Sequence, residues 1–491
     1  MSLARRVLES LRGAGVEEIV VCPGARNAAF VEALPEFGFR AVWHFEERSA
    51  AFFALGRIGA TGWPVAVITT SGTAAGELLP ATMEAYYSGL PLVLVTADRP
   101  RRFRGTGAPQ AAEQAGLFGV YAPVAFDLEG NETFALPPFD RPLHLNVCLE
   151  DPRGTTAADT PEPFPSLETF LRAVQSPLVV VGRLSPHERL SVERFLVALG
   201  APTYLEALSG LRASPALEPI TLQVGDRLFE RGTFDGVLRI GGVPTHRLWR
   251  DLEDARASLP VLSLSSLPFS GLARPSTVLP LDALTGCEAR TSSASVAEDR
   301  RLYGELEHLL EKEPRSEPGI VRRLSQRIEA GAGVYLGNSL PIREWDLAAD
   351  PALQAEFSAS RGLNGIDGQL STFLGGCLPD RPNWAVLGDL TTLYDLAGPW
   401  PLAQMDPKIS ATLVTINNAG GRIFERMFPS PSFVNVHGRD FAAWAAMWDL
   451  PYQAVDDPLA IETGAGLRIV EIRPDAASTV RFWERWGARL K

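Results

Sequence analysis

The sequence predicts an α/β protein built of three doubly wound parallel-sheet domains. Two observations carry that reading. Short runs rich in β-branched residues alternate with helical stretches along the whole chain, and polar, proline-rich interruptions divide the alternation into three series. Length agrees: 491 residues leave room for roughly three domains at about 150 residues each.

The first series opens on MSLARRVLESLRGAG, an amphipathic helix with Arg5, Arg6 and Arg12 among its apolar positions and without the unbroken apolar core of a secretion signal. Strands are expected at EEIVVC (17–22), AVWH (41–44), PVAVIT (64–69), PLVLVTA (91–97) and HLNVCL (144–149), with Ala-rich helical stretches between several of them. The prolines and small polar residues of DPRGTTAADTPEPFPS (151–166) continue neither element and read as a linker. A second series runs through PLVVVG (177–182), APTYLEAL (201–208), VLRIGG (237–242) and PVLSL (260–264), and a polar, charged stretch from Thr285 to about Pro318 ends it. The third contains GVYLGN (333–338), AEFSAS (355–360), NWAVLGD (383–389), ISATLVTINN (409–418) and LRIVEIR (467–473). Domains are therefore expected at 1–152, 167–290 and 318–491, with no short-period repeat.

Charge and composition exclude several classes. Asp and Glu number 58 against 46 Lys and Arg, a net charge of −12 that repels phosphate backbones, so nucleic-acid binding is not expected. Cys22, Cys148, Cys287 and Cys377 are too scattered for C-x-x-C spacing, which fits a reducing compartment without structural disulfides. The longest apolar runs, PLVLV (91–95) and PLVVV (177–181), fall far short of the ~20 residues that span a bilayer. A cytoplasmic protein without membrane insertion is expected.

In open α/β sheets ligands bind outside the carboxyl ends of the strands. Asp389 ends one strand, and Asn417-Asn418 ends the next, followed by Ala419-Gly420-Gly421. A carboxylate, an amide oxygen and a backbone carbonyl are hard oxygen ligands suited to a Mg²⁺ that also holds a diphosphate. Taken residue by residue, Asp389 serves equally as the cap of a helix beginning near Thr391, and NNAGG as a plain turn. No strand is followed by G-x-G-x-x-G, which argues against a dinucleotide-dependent dehydrogenase.

Gly388-Asp389 followed one strand later by Asn417-Asn418 resembles the thiamine-diphosphate signature, with Leu390 where most of that superfamily has a second glycine. The resemblance implies that Asp389, Asn418 and the Gly420 carbonyl hold Mg²⁺ or Mn²⁺. It also implies an N-terminal pyrimidine-binding domain, a middle domain lacking the thiamine motifs and a C-terminal diphosphate-binding domain. Further motifs sharpen the family: CPGARN (22–27), HFEERSAAFFALG (44–56), TTSGTAAGELLPATMEA (69–85), TADRPRRFRGTGAPQ (96–110), GNSLPIR (337–343), SRGLNGIDGQLST (360–372), GDLTTLYDL (388–396) and NNAGGRIF (417–424). In this order they closely resemble the 2-succinyl-5-enolpyruvyl-6-hydroxy-3-cyclohexene-1-carboxylate synthases of menaquinone biosynthesis. The likeness covers both outer domains nearly end to end and the middle one weakly, through LSGLR (208–212) and GGVPTHR (241–247). ADRP with GTGAPQ, and SRGLNGIDG, separate this family from acetolactate synthases and 2-oxo-acid decarboxylases. The activity implied is that of a transferase, a carboligase that decarboxylates 2-oxoglutarate on thiamine diphosphate and adds the remaining succinyl-semialdehyde unit to isochorismate by conjugate addition.

Residue roles follow from the resemblance. Glu47 matches the catalytic glutamate, which hydrogen-bonds N1′ of the aminopyrimidine and drives it to its imino tautomer. Glu46 beside it reads as a first-turn acid favoured by the helix dipole, and His44 as structural. Ile366 matches the apolar wedge that bends the cofactor, while Phe424 and Met427 would wall its pocket. Gly72, Asn364, Leu390, Thr391 and Ile423 complete the expected cofactor contacts. Arg26, Arg99, Arg343 and Arg361 would bind substrate carboxylates bidentately; Gln110 and Ser339, with Asn364, offer neutral hydrogen bonds. Three positions depart from the family pattern: Ala25 replaces a serine, Glu77 an asparagine, and Ala419 interrupts Asn-Asn-Asn. The family's middle-domain basic residue is either His246 or Arg247. Because the two cofactor-binding domains meet across a subunit boundary in this superfamily, a homodimer or homotetramer is expected. Two alternatives stand beside this reading: a related thiamine enzyme with another acceptor, and a non-catalytic nucleotide-binding α/β protein.

Overall fold

A computed structural model describes residues 1–150, 160–225, 234–284, 296–428 and 430–490. Three six-stranded sheets are present, and all strand pairs in them are parallel. The first holds β1 (Glu18–Val21), β2 (Arg40–Trp43), β3 (Val65–Thr69), β4 (Leu92–Asp98), β5 (Val124–Glu129) and β6 (Leu143–Cys148), in the order β2-β1-β3-β4-β6-β5. The second holds β7 (Pro177–Val181), β8 (Thr203–Leu205), β9 (Thr221–Leu222), β10 (Gly236–Ile240), β11 (Val261–Leu264) and β12 (Thr277–Leu279), in the order β12-β11-β10-β7-β8-β9. The third holds β13 (Gly333–Leu336), β14 (Glu356–Ser358), β15 (Pro382–Gly388), β16 (Ser410–Ile416), β17 (Tyr452–Val455) and β18 (Gly466–Ile472), in the order β14-β13-β15-β16-β18-β17. Counted from its own first strand, the third sheet repeats the order of the first.

The expected α/β class is borne out, and its physical reason is visible in the central strands. Every residue of β3 (VAVIT) and of β4 (LVLVTAD) is buried, as a parallel sheet covered on both faces requires. All the strands expected from the sequence are present. Four more, β5, β9, β12 and β17, lie at sheet edges. The expected linker falls largely outside the described residues, at 151–159, as do 285–295, Cys287 and the boundaries drawn at 152 and 290. The polar stretch from Thr285 to about Pro318 is described from residue 296 onward. It contains the helix Ala297–Lys312, whose Leu302, Leu306, Leu309 and Leu310 are buried at helical spacing. Cys22, Cys148 and Cys377 are buried free thiols.

The chain forms two compact units. The first comprises Met1–Thr155 with Arg361–Gly365 and Ala419–His437. The N-terminal helix Leu3–Gly13 buries Leu3, Ala4, Val7, Leu8 and Leu11 in its core, where Phe433 is also fully buried. The second unit holds the other two sheets, tied together by paired 2.8 Å bonds from Arg189 to Glu356 and by the Ala207 N–H on Asp346 Oδ1 at 2.8 Å. Its core mixes Ala207, Leu208 and Val224 with Leu336 and Trp345.

Strand order reverses between β1 and β3 and again between β13 and β15, and such switch points open a crevice at the strands' carboxyl ends. The segments that follow these four strands are CPGARN, TSG (70–72), GNS (337–339) and Asp389.

Candidate active site

In the first unit the turn after β1 is locked by Asn27, fully buried, whose Nδ2 donates to the Cys22 carbonyl and whose Oδ1 accepts the Gly24 N–H, both at 2.8 Å. This presents Arg26, half-buried, whose guanidinium donates to the Leu149 carbonyl at 3.0 Å and whose N–H meets Thr70 Oγ1 at 3.3 Å. Gly72 has φ +88°, and a Cβ there would lie 3.2 Å from Gln110 Cα, so a side chain would be strained by the backbone and crowded by its neighbour. Its N–H donates to the buried Gln114 Oε1 at 2.8 Å. Gln110, at φ +57°, donates its N–H to the Leu363 carbonyl at 3.2 Å, which brings the segment of Arg361 and Asn364 to the same end of the sheet. Arg99 lies over the Phe103 ring at 5.0 Å and donates through Nε to the Pro109 carbonyl at 2.7 Å. Arg26, Gly72, Arg99, Gln110, Arg361 and Asn364 thus share the carboxyl ends of β1, β3 and β4. Asn364, at φ +61°, turns in a buried Oδ1 that accepts no hydrogen bond among the described residues.

The two adjacent glutamates after β2 are distinguished by geometry. Glu46 is the N-cap of helix Glu47–Thr61 and accepts the N–H groups of Arg48 and Ser49 at 3.1 and 3.0 Å. The His44 Nδ1 in turn accepts the Glu46 N–H at 3.0 Å, and burial lowers this imidazole's pKa. Glu47 is left at the first helical position, 8% exposed, close to the end of β1. Burial first, then the Glu47 and Glu46 carboxylates, push the Cys22 thiol well above its ordinary pKa.

In the second unit Asp389 is 3% exposed and is the first residue of helix Asp389–Tyr394, whose N-cap is Gly388. The capping alternative is thereby corrected: the helix starts two residues before Thr391, and Asp389 Oδ1 accepts the N–H of Leu390, its immediate neighbour, at 2.7 Å. Thr391 is buried beside it, and Thr392 Oγ1 ties the Gly388 carbonyl at 3.0 Å to Thr415 Oγ1 of β16 at 3.1 Å. The Asn417-Asn418 pair divides its work. Asn417, 5% exposed, donates to the Arg439 carbonyl and to Glu471 Oε1, each at 2.9 Å. Burial alone would raise the Glu471 carboxyl, but donors from Phe441, Arg473, Asn417 and Tyr452 hold it below its ordinary value. Asn418 Nδ2 instead donates to Glu317 Oε1 at 2.7 Å. Ser339, at φ +73°, precedes helix Leu340–Ala348, and the exposed Arg343 donates back to its carbonyl at 2.5 Å. Buried Asn338 pins this turn through the Ser360 carbonyl at 2.8 Å and Gln369 Oε1 at 3.1 Å. Ile366 is half-buried.

The chain after Asn418 belongs to the first unit. Ala419 has φ +63° and Gly420 φ +140°, and the Gly421 N–H closes the turn on the Val434 carbonyl at 2.6 Å. Phe424 packs 6.3 and 6.4 Å from the rings of Phe428 and Phe433, Ile423 is half-buried, and Met427 is 44% exposed. A left-handed conformation costs an ordinary L-residue about 1–2 kcal/mol but is tolerated by asparagine. Ala419→Asn is therefore expected to raise stability by about 0.5–1 kcal/mol, read as a higher urea midpoint.

Asn27, Gln114 and Glu317 were not among the residues expected from sequence; only Asn27, at a fixed offset within CPGARN, carried a local signal. In the second sheet's GGVPTHR segment, His246 packs edge-on to Tyr204 at 5.1 Å and accepts the Leu248 N–H at 3.1 Å, whereas Arg247 pairs with Asp251 at 3.3 Å. Asp389 and Asn418 supply oxygen donors of the kind a Mg²⁺ shared with a diphosphate takes, and the unused Asn364 acceptor suits a polar ligand.

Residues 1–117 match the family model for the thiamine pyrophosphate enzyme N-terminal TPP-binding domain. That match and the relatives that follow define a thiamine-diphosphate-dependent enzyme. The chain is 42% identical to a 2-succinyl-5-enolpyruvyl-6-hydroxy-3-cyclohexene-1-carboxylate synthase of Bdellovibrio bacteriovorus, over 100% of this chain and 99% of that protein. Proteins of the same name from Akkermansia muciniphila and Chloroflexus aurantiacus are 40% and 33% identical, each over 95% of this chain and over 94% and 92% of their own lengths. The chain belongs to the 2-succinyl-5-enolpyruvyl-6-hydroxy-3-cyclohexene-1-carboxylate synthase family.

Proposed function

We propose that this chain joins 2-oxoglutarate to isochorismate with loss of CO₂, forming 2-succinyl-5-enolpyruvyl-6-hydroxy-3-cyclohexene-1-carboxylate in cytoplasmic menaquinone biosynthesis, with thiamine diphosphate and Mg²⁺ or Mn²⁺. The observation that carries the substrate assignment is the bond from the Gln110 N–H to the Leu363 carbonyl at 3.2 Å. It joins GTGAPQ to SRGLNG, the two motifs that set this family apart from other thiamine enzymes.

Thiamine diphosphate, when bound, supplies the electron sink that loss of CO₂ from a 2-oxo acid requires. The chain's own residues orient and protonate. Glu47 holds a proton at N1′ from a buried position at a helix start, where its geometry matters more than its acid strength. Asp389, Asn418 and the Gly420 carbonyl would hold the cation. Arg26, Arg99, Arg343 and Arg361 clamp the substrate carboxylates, Gln110, Ser339 and Asn364 add neutral hydrogen bonds, and Gly72 leaves room for close approach. By the family's pattern Ile366, Ile423, Phe424 and Met427 would give a bound cofactor apolar contacts, and Leu390 and Thr391 would lie near its diphosphate.

A homodimer, or a homotetramer assembled from two, suits this arrangement. The helix that begins at Glu47 exposes Phe52 (43%) and Phe53 (45%), and its neighbour Leu79–Ser88 exposes Met83 (38%) and Tyr87 (77%). Exposed apolar side chains on these two helices suit an association surface, and a second copy seated there would lie near the helix that begins at Glu47.

The test is isochorismate consumption by purified protein given Mg²⁺, thiamine diphosphate and 2-oxoglutarate. Consumption is expected with all components and is expected to stop when any one is omitted. Release of CO₂ from 2-oxoglutarate with isochorismate untouched would overturn the acceptor, and no reaction of either would overturn the reading itself.

A further inference from the structure

We propose that Glu317 is a positioning residue that fixes which face of the Asn418 amide is turned toward the metal. The inference rests on the reading of Asn418 as a metal ligand and goes beyond it. An asparagine can ligate a cation only through Oδ1, yet its amide can be flipped to present Nδ2 in the same place. A neighbour that both donates and accepts would leave the choice open. An ionised carboxylate only accepts, so the Asn418 atom facing Glu317 Oε1 at 2.7 Å is the NH₂, and the oxygen is turned the other way.

Glu317 is itself held rigidly. It is 4% exposed and opens helix Glu317–Arg327, whose N-cap Ser316 accepts the Gly319 N–H at 3.1 Å. Its own N–H donates to Thr479 Oγ1 at 3.1 Å, on the C-terminal helix Ala476–Leu490. Two residues further into that helix, Arg481 grips Glu313 at 2.9 Å, and Ser478 Oγ donates to the same carboxylate at 2.7 Å. The main chain of Glu317 is thus fixed between two helices, and its buried side chain is not a mobile surface group. Partners of this kind, bonded to a ligand and not to the metal, tune affinity by setting ligand geometry.

The test titrates Mn²⁺ into protein saturated with thiamine diphosphate and reads free Mn²⁺ by its electron paramagnetic resonance signal, independently of turnover. Glu317→Ala is expected to weaken Mn²⁺ binding by roughly 10- to 100-fold. Glu317→Gln, whose amide both donates and accepts, leaves the choice of face open and is expected to weaken binding toward the alanine value. Glu317→Met keeps the length and removes the acceptor; it is expected to match the alanine variant and separates lost packing from lost orientation. Wild-type affinity in both Glu317→Ala and Glu317→Met, with Asn418→Ala impaired, overturns the positioning role alone. Wild-type affinity in Glu317→Gln also overturns it, because a partner that can donate as well as accept would then serve equally. Wild-type affinity in Asn418→Ala overturns instead the ligand reading beneath it.

Discussion

Glu47→Gln is expected to abolish isochorismate consumption, by about 10² to 10⁴ in rate, while leaving the melting temperature close to that of the wild type. The amide fills the same volume at the same helix start but cannot hold a proton at N1′ as the acid does. Its neighbour behaves in the opposite way. Glu46 accepts two N–H groups of the first turn of helix Glu47–Thr61, so Glu46→Ala is expected to cost about 0.5–2 kcal/mol of stability, as loss of a helix cap does, with turnover largely kept. Steady-state rates at saturating cofactor, read beside thermal melts of both variants, check the pair. A dead Glu46→Ala with an active Glu47→Gln would reverse the assignment.

What the sequence shows of this fold depends on burial. Strands such as β3 and β4, buried on both faces, must be apolar throughout, and their runs stand out at once. The four strands that escaped notice are all edges: β5 carries a buried residue only at Leu128, β12 has no fully buried residue, β17 reads YQAV with none, and β9 is two residues long. An edge strand faces solvent along one side and has no need of an unbroken apolar run. The same logic separates the parts of the candidate site. Glu47, Asp389 and Asn418 sit at strand ends or helix starts, where local pattern reveals them. Glu317 is invisible in that way because its partner Asn418 lies 101 residues along the chain, and Gln114 reaches Gly72 across 42. Phe433 looks like any core aromatic of the third series, yet it is buried with Leu8, Ile19 and Val95 of the first unit, and periodicity cannot say which core an apolar residue joins. Nor does residue pattern announce that the first and third sheets share one strand order, since that is a property of pairing.

Gly420→Ala is expected to be the most damaging change in the loop that follows Asn418, and to act through the backbone. At φ +140° an L-residue costs about 1–3 kcal/mol. A Cβ at this position would also stand 2.4 Å from the Val434 carbonyl oxygen and 3.2 Å from that of Asn435. Both obstacles are main-chain atoms, so no rotamer change relieves them, and overpacking of this sort adds about 1–3 kcal/mol. The carbonyl that blocks the methyl is the one that accepts the Gly421 N–H at 2.6 Å, so relief by displacement would break the bond that closes the turn. That turn also leads to Phe424, whose ring rests on Phe433. Two readouts should therefore move together in Gly420→Ala: the urea midpoint falls, and Mn²⁺ affinity in the presence of thiamine diphosphate falls with it, because the carbonyl proposed as a ligand belongs to the displaced residue. A lower midpoint with unchanged Mn²⁺ affinity would remove Gly420 from the ligand set and keep it as a structural glycine. Since Ala419→Asn one position earlier is expected to move the midpoint upward, the two neighbours together test whether the turn adopts the left-handed geometry assigned to it.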